Sequence, residues 1–261
     1  MQERPLVSFD SGAAAVYSQG IDPFPWRRCR LMFRRLFETL AFFKTFILDI
    51  ARFLVPVTLP IVLLETYVAF RAVETEAAGL IHWMPFGINF LFRPVYTAGL
   101  IWLISGLASG EERSFGECLA VGFRSWMDLL GVYLISTVII FAGLVALVVP
   151  GLIFFARLAL AEFCVVLEGM HPREALVRSN ERARGLTGEI IACTVVLSFL
   201  LIGVDIISSY ALARLSLQGF VAAVVTSMAF MVLSATLTIL FYRFYDLSIK
   251  KQERREEGDE G

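Results

Sequence analysis

Six long apolar runs dominate this chain, at residues 46–70, 86–108, 128–149, 151–168, 189–212 and 219–242. A bilayer core of about 30 Å takes roughly 20 helical residues to cross, so each run can span one. Lipid offers no water to backbone N–H and C=O groups, and only helices or closed barrels satisfy them internally. The runs lack the two-residue alternation of barrel strands. The fold class is therefore all-α: a polytopic membrane protein with six transmembrane helices. Composition agrees. Of 261 residues, 57% are hydrophobic and 18% charged, with mean hydropathy +0.72. Soluble domains average about 45–50% apolar and about 25% charged.

Lysine and arginine placement sets the threading. Eighteen of the 23 basic residues fall on one side, in the N-terminal segment, the second and fourth connections and the C-terminal tail. Arg71 and Arg214 fall on the other side, and Arg52, Arg93 and Arg157 lie within spans. The expected arrangement is three hairpins with both termini cytoplasmic, since an odd number of spans would destroy this asymmetry. Residues 1–20 lack the basic start and apolar core of a signal peptide. They are too poor in apolar surface to offset the entropy of ordering, and are expected to be disordered. Residues 21–245 form the membrane domain and 246–261 a charged cytoplasmic tail.

Each hairpin is preceded by a segment with the pattern of an amphipathic surface helix. The first is "WRRCRLMFRRLFETLAFFKTF" (26–46), with Cys29, Leu36, Leu40 and Phe43 on one face and Arg27, Arg30 and Arg34 on another. In the second, 114–130, Ser114 and Glu117 have capping-box spacing. In the third, 171–185, Pro172 suits a first helical position and Gly185 a stop. "GECLAVGFRSW" and "REALVRSNERAR" share a Glu-x-Leu followed by basic residues, so a threefold repeat of surface helix plus hairpin is one reading; unrelated connectors of similar pattern are the other. Arg27, Arg30, Arg34, Arg178 and Arg182 are the expected contacts to anionic lipid, each worth about 1 kcal/mol near an anionic leaflet.

The segment "VVPGLIFFARLALAEFCVVLEGMHPREALVRSNERARG" (148–185) resembles one shared by the YciC-like inner-membrane proteins and the membrane domain of some glycerophosphoryl diester phosphodiesterases. The matching residues are Pro150, Gly151, Arg157, Glu168, Gly169, Glu174, Ala175, Leu176, Arg178, Ser179, Arg184 and Gly185. Those families read as a Pro-Gly hairpin turn, an apolar span with an early basic residue, and a closing surface helix. Glu162 stands where they often have proline. The resemblance implies a bacterial inner-membrane location. The catalytic domain of the phosphodiesterases has no counterpart here.

Charges inside spans cost about 2.5–3.5 kcal/mol each at mid-bilayer, so they are paired or functional. At 1.5 Å per residue, Glu65, Arg93, Arg157 and Asp205 all lie roughly 8–10 Å from the outer face. This cluster of two acids and two bases is either an ion-pair network pinning the hairpins or the lining of an externally open cavity. Glu162 is deeper, roughly 16 Å in, and about 140° around the helix from Arg157. It must meet another span or carry a proton. Cys29, Cys118, Cys164 and Cys193 are scattered and His82 and His171 isolated, which points to no metal and no cofactor. The sequence carries no HExxH and no GxSxG. The expected function is non-enzymatic: organisation of membrane lipid, with no nucleic-acid partner and with any homo-oligomer left open. The alternative is a small transporter or channel that uses the charge cluster.

Overall fold

A computed structural model describes residues 25–74, 80–214 and 219–259. They form nine helices: α1 (Pro25–Glu74), α2 (Leu80–Ser109), α3 (Phe115–Arg124), α4 (Trp126–Ala146), α5 (Val148–Leu158), α6 (Ala161–Glu168), α7 (Pro172–Arg182), α8 (Thr187–Arg214) and α9 (Phe220–Asp259). Six stretches among them are long and apolar enough to cross a membrane: Met32–Arg71, Trp83–Ser109, Trp126–Ala146, Val148–Glu168, Thr187–Leu212 and Phe220–Arg254. The chain is an all-α polytopic membrane protein. The expected disorder of residues 1–20 lies outside the described residues.

The first surface segment is not a separate element. It runs into the first span as one 50-residue helix, about 75 Å long. Its buried stripe continues without a break through Leu36, Phe43, Phe46, Ile50, Phe53, Leu54 and Ile61. A periodic apolar face that never changes phase gives the helix no reason to bend. Pro56 and Pro60 interrupt hydrogen bonds but not the helix. The C-terminal helix α9 packs against α1 in the opposite direction. Arg243 reaches Glu38 near one end, and the rings of Phe70 and Phe220 meet at 5.8 Å near the other. Pro25 and Asp259 therefore mark the same end of the bundle, called here the termini end.

Helix α2 is the axis. Residues Pro94 to Ile101 are all buried, more than two turns with no open face. α3 folds back along it, and glycine makes the fit. A Cβ at Gly122 would stand 2.5 Å from the Val95 carbonyl oxygen, and one at Gly99 would stand 2.8 Å from the Cys118 carbonyl oxygen. Small residues let helix backbones approach in this way. The Ser114–Glu117 capping box forms as its spacing predicts. Ala223, Ser227, Ser234 and Thr238 on α9 also have small-residue spacing, but Ser227 is exposed and α9 buries Ala235, Thr236, Ile239 and Leu240.

The second hairpin departs from expectation in two places. The turn falls at Leu147, whose backbone is extended. Pro150 and Gly151 lie inside the first turn of the returning helix α5, where Pro150 needs no N–H donor. Gly151 permits the close hairpin, because a Cβ there would meet the Leu144 backbone nitrogen at 2.9 Å. The returning span also breaks at Ala159–Leu160 into α5 and α6.

Cys118, Cys164 and Cys193 have no exposed surface. Burial also pushes the Cys118 thiol above its usual range, and the thiolate is the reactive form. Alkylation by maleimide, mapped by peptide mass spectrometry, should leave these three unmodified in the folded protein and modify all three after denaturation. Labelling of any one under native conditions would contradict this packing.

Candidate functional site

The intramembrane charges do not assemble as one level of four. The group that forms is a polar column built on α2. Asn89, Arg93 and Tyr96 are spaced four and three residues apart, so they share one face. From α1, Glu65 comes within hydrogen-bonding reach of Asn89, which also reaches Tyr96. From α4, the Tyr133 ring lies under the Arg93 guanidinium at 5.3 Å. From α6, Glu162 lies in the field of Arg93 and faces the Tyr133 hydroxyl. That hydroxyl is buried without a closed hydrogen bond, as is one carboxylate oxygen of Glu162's counterpart Glu65.

Glu162 thus faces other spans, toward Arg93 of α2 and Tyr133 of α4, as its angular position requires. The break at Ala159–Leu160 places it in the first turn of α6, on a different helix from Arg157. The column holds one cation and two carboxyls, so charge balances with one added proton. The Tyr133 ring gives Arg93, an exposed residue, a cation–π contact of the kind worth about 0.5–1 kcal/mol.

Arg157 and Asp205 stand apart from the column. Arg157 is half-buried near α7, and its Nε has no hydrogen-bond partner. Asp205 is half-buried on α8, where Ser208 bonds to its backbone carbonyl. Tyr96, Tyr133 and Asn89 were not legible as site residues, because uncharged polar groups in an apolar run carry no distinguishing pattern.

The residues of 148–185 form a second constellation, a lock between α5, α6 and α7. At the break, the Arg157 carbonyl accepts a hydrogen bond of 2.7 Å from Ser179 Oγ. α7 presents Ala175, Leu176 and Ser179 inward, all buried, and leaves Arg173 and Glu174 exposed. α6 ends on Gly169, whose φ of +67° suits glycine. Beyond it Pro172 opens α7, packed against Gly131. Arg182 then reaches back to Glu168, with one of its two hydrogen bonds at 3.0 Å. Tyr245 of α9 donates to the same carboxylate at 2.6 Å. Burial alone would weaken the Arg182 charge, but the bond to Glu168 holds its pKa above the ordinary arginine value. α7 therefore packs into the bundle, and Arg182, with its side chain 7% exposed, does not face outward to lipid. Arg34 remains at the surface in a 2.8 Å pair with Glu38. Arg30 is exposed. Arg27 lies among residues whose side chains are outside the description.

Ser179→Ala should lower stability by about 1–3 kcal/mol, the cost of leaving a buried carbonyl without a donor. Thermal unfolding in detergent checks this. An unchanged midpoint would show that this hydrogen bond does not stabilise the bundle.

No family model, curated protein or solved structure matches the chain.

Proposed function

We propose that this protein is a non-enzymatic, multi-pass component of the bacterial inner membrane that gathers anionic lipid at its cytoplasmic, termini-bearing end. One observation carries the reading: an exposed apolar belt surrounds the bundle, and most of the exposed lysine and arginine among the described residues lies at the termini end. The belt includes Phe141, Leu147 and Val149 of the second hairpin and Phe199, Ile207 and Tyr210 of α8, all exposed. Exposed apolar surface on this scale needs lipid. Toward the termini, interleaved with the exposed acids Glu111, Glu117, Glu174, Glu181 and Glu253, the exposed bases are Arg30, Lys44, Arg124, Arg173, Arg184 and Arg254. Each contributes about 1 kcal/mol near an anionic leaflet. The cytoplasmic placement rests on the asymmetry of basic residues. The likeness of 148–185 to the YciC-like proteins supports the inner-membrane location.

The test is lipid recruitment. Protein reconstituted in mixed neutral and anionic bilayers should retain anionic lipid above its bulk fraction, and less so as salt rises. Retention at the bulk fraction at every salt concentration would end this reading.

A second reading takes the polar column as part of a proton-coupled passage, because Glu65, Arg93 and Glu162 are titratable or charged and two tyrosines adjoin them. Proteoliposomes would then show a proton flux that Glu162→Gln abolishes. Equal flux from both proteins argues against it.

A further inference from the structure

The half of α2 away from the termini end carries an exposed stripe that runs into a cation. Trp83, Phe86, Phe90 and Arg93 are spaced three, four and three residues apart, so they share one helix face. All four are exposed. We infer that this face binds one zwitterionic phospholipid of the bilayer, with its phosphate on the Arg93 guanidinium and its ammonium on the aromatic rings above.

A cation that lacks an anion is the first argument. Arg93 lies about 15 Å along the helix from Trp83, where the span Trp83–Ser109 begins. An arginine at such depth needs a partner or a route to the headgroups. Among the described residues it forms no ion pair: Tyr133 offers its ring, and Glu162 acts through its field. The residue is exposed, and a guanidinium presents five N–H donors in a fork that fits phosphate oxygens.

Direction is the second. Side chains on a helix lean toward its N-terminus, which for α2 is the end away from the termini. The stripe therefore leads from Arg93 toward the nearer headgroup layer. Phe90 and Arg93 both meet the Tyr133 ring, at 6.5 Å and 5.3 Å, so the cation and the first ring of the stripe share one support. A phosphate drawn to Arg93 sits below the plane of its neighbours, the local thinning by which a bilayer accommodates an arginine in a span.

The rings and the nearby carboxyls are the third, and they select the headgroup. Trp83 and Phe86 lie 5.7 Å apart, with their planes tilted by 45°. Aromatic faces attract ammonium groups, and most strongly quaternary ones. Glu162 and, through Asn89, Glu65 adjoin the Arg93 column. Two carboxyls beside one guanidinium repel a headgroup of net negative charge. They do not repel one that brings its own ammonium.

This site does not rest on lipid gathering at the termini end. It takes a different class of lipid, inside a span, where salt screens little. The experiment titrates delipidated protein in detergent, at high salt, with phosphatidylethanolamine and with diacylglycerol of the same chains, and counts bound lipid by native mass spectrometry. Wild type should bind phosphatidylethanolamine at least about tenfold more tightly, the weight of one charge-assisted hydrogen bond. Arg93→Leu should lose that preference and keep its thermal midpoint in lipid-free detergent. Arg214→Leu removes an exposed cation elsewhere and should stay within about twofold of wild type. Phe86→Leu should weaken phosphatidylethanolamine about threefold. Equal binding of the two lipids by wild type overturns the site, whether or not any variant folds. A preference that survives in Arg93→Leu, or that Arg214→Leu lowers equally, overturns it as well. Binding by Phe86→Leu that equals wild type overturns the place of the ammonium on the rings.

Discussion

Gly122→Leu is expected to abolish recovery of monodisperse protein from detergent extracts, and Gly122→Ala to lower stability by about 1–3 kcal/mol, the usual cost of overpacking. The reason is backbone against backbone. The Val95 carbonyl oxygen lies 2.5 Å from where a Cβ on Gly122 would stand. A flexible side chain could swing away, but a carbonyl within α2 can move only if the helix moves. Residues Pro94 to Ile101 are buried on every side, so displacing α2 disturbs α1, α3 and α9 together. Gly116 is the control. It occupies the same short helix with nothing within 4 Å of its would-be Cβ, so Gly116→Ala should be neutral or slightly stabilising. Size-exclusion profiles and thermal unfolding of the three variants check this. Equal behaviour of Gly122→Ala and Gly116→Ala would contradict the close approach of α3 to α2.

Arg182→Leu is expected to cost about 2–4 kcal/mol, because removing one partner strands the other. Among the described residues, Glu168 would keep the Tyr245 hydroxyl and the field of Arg178, with its side chain 23% exposed. That partial access to water places the expected cost at the lower part of the range for fully buried pairs. The double variant Arg182→Leu/Glu168→Leu should recover at least half of the loss, since neither charge is then left uncompensated. The coupling read from a double-mutant cycle is the decisive quantity. Additive losses would mean that Arg182 acts through its packing on Tyr245, whose ring centroid is 5.1 Å away, and not through its charge.

Much of the architecture was legible because membranes impose strict rules. Six apolar runs became six spans, and the capping box at Ser114 and the stop at Gly185 formed where their spacing placed them. What escaped was tertiary. The amphipathic pattern of 26–46 is the same whether a helix lies on lipid or on protein; here Leu36 and Phe43 are buried and Arg243 of α9 reaches the Arg35 carbonyl and Glu38, while Phe33 and Phe37 stay exposed. The surface face of 171–185 likewise reads as lipid-facing until α4, α5 and α6 are seen beneath Ala175, Leu176 and Ser179. Depth counted from span ends assumes straight, parallel helices. The break at Ala159–Leu160 moves Arg157 beside α7 and turns Glu162 toward Arg93, so a shared depth did not become a shared site. No proline or glycine marks that break. What meets it is Ser179, twenty-two residues away in sequence, whose hydroxyl bonds to the Arg157 carbonyl.

The sidedness of the two ends tests the account most directly. In a Cys29→Ser background, single reporter cysteines at Arg254 and Val148, both exposed, would be treated with a membrane-impermeant maleimide in intact spheroplasts and in inverted vesicles. Arg254→Cys should label only in inverted vesicles and Val148→Cys only in spheroplasts. Labelling of both from one side, or the reverse pattern, would contradict a six-span bundle with its basic end at the cytoplasmic leaflet.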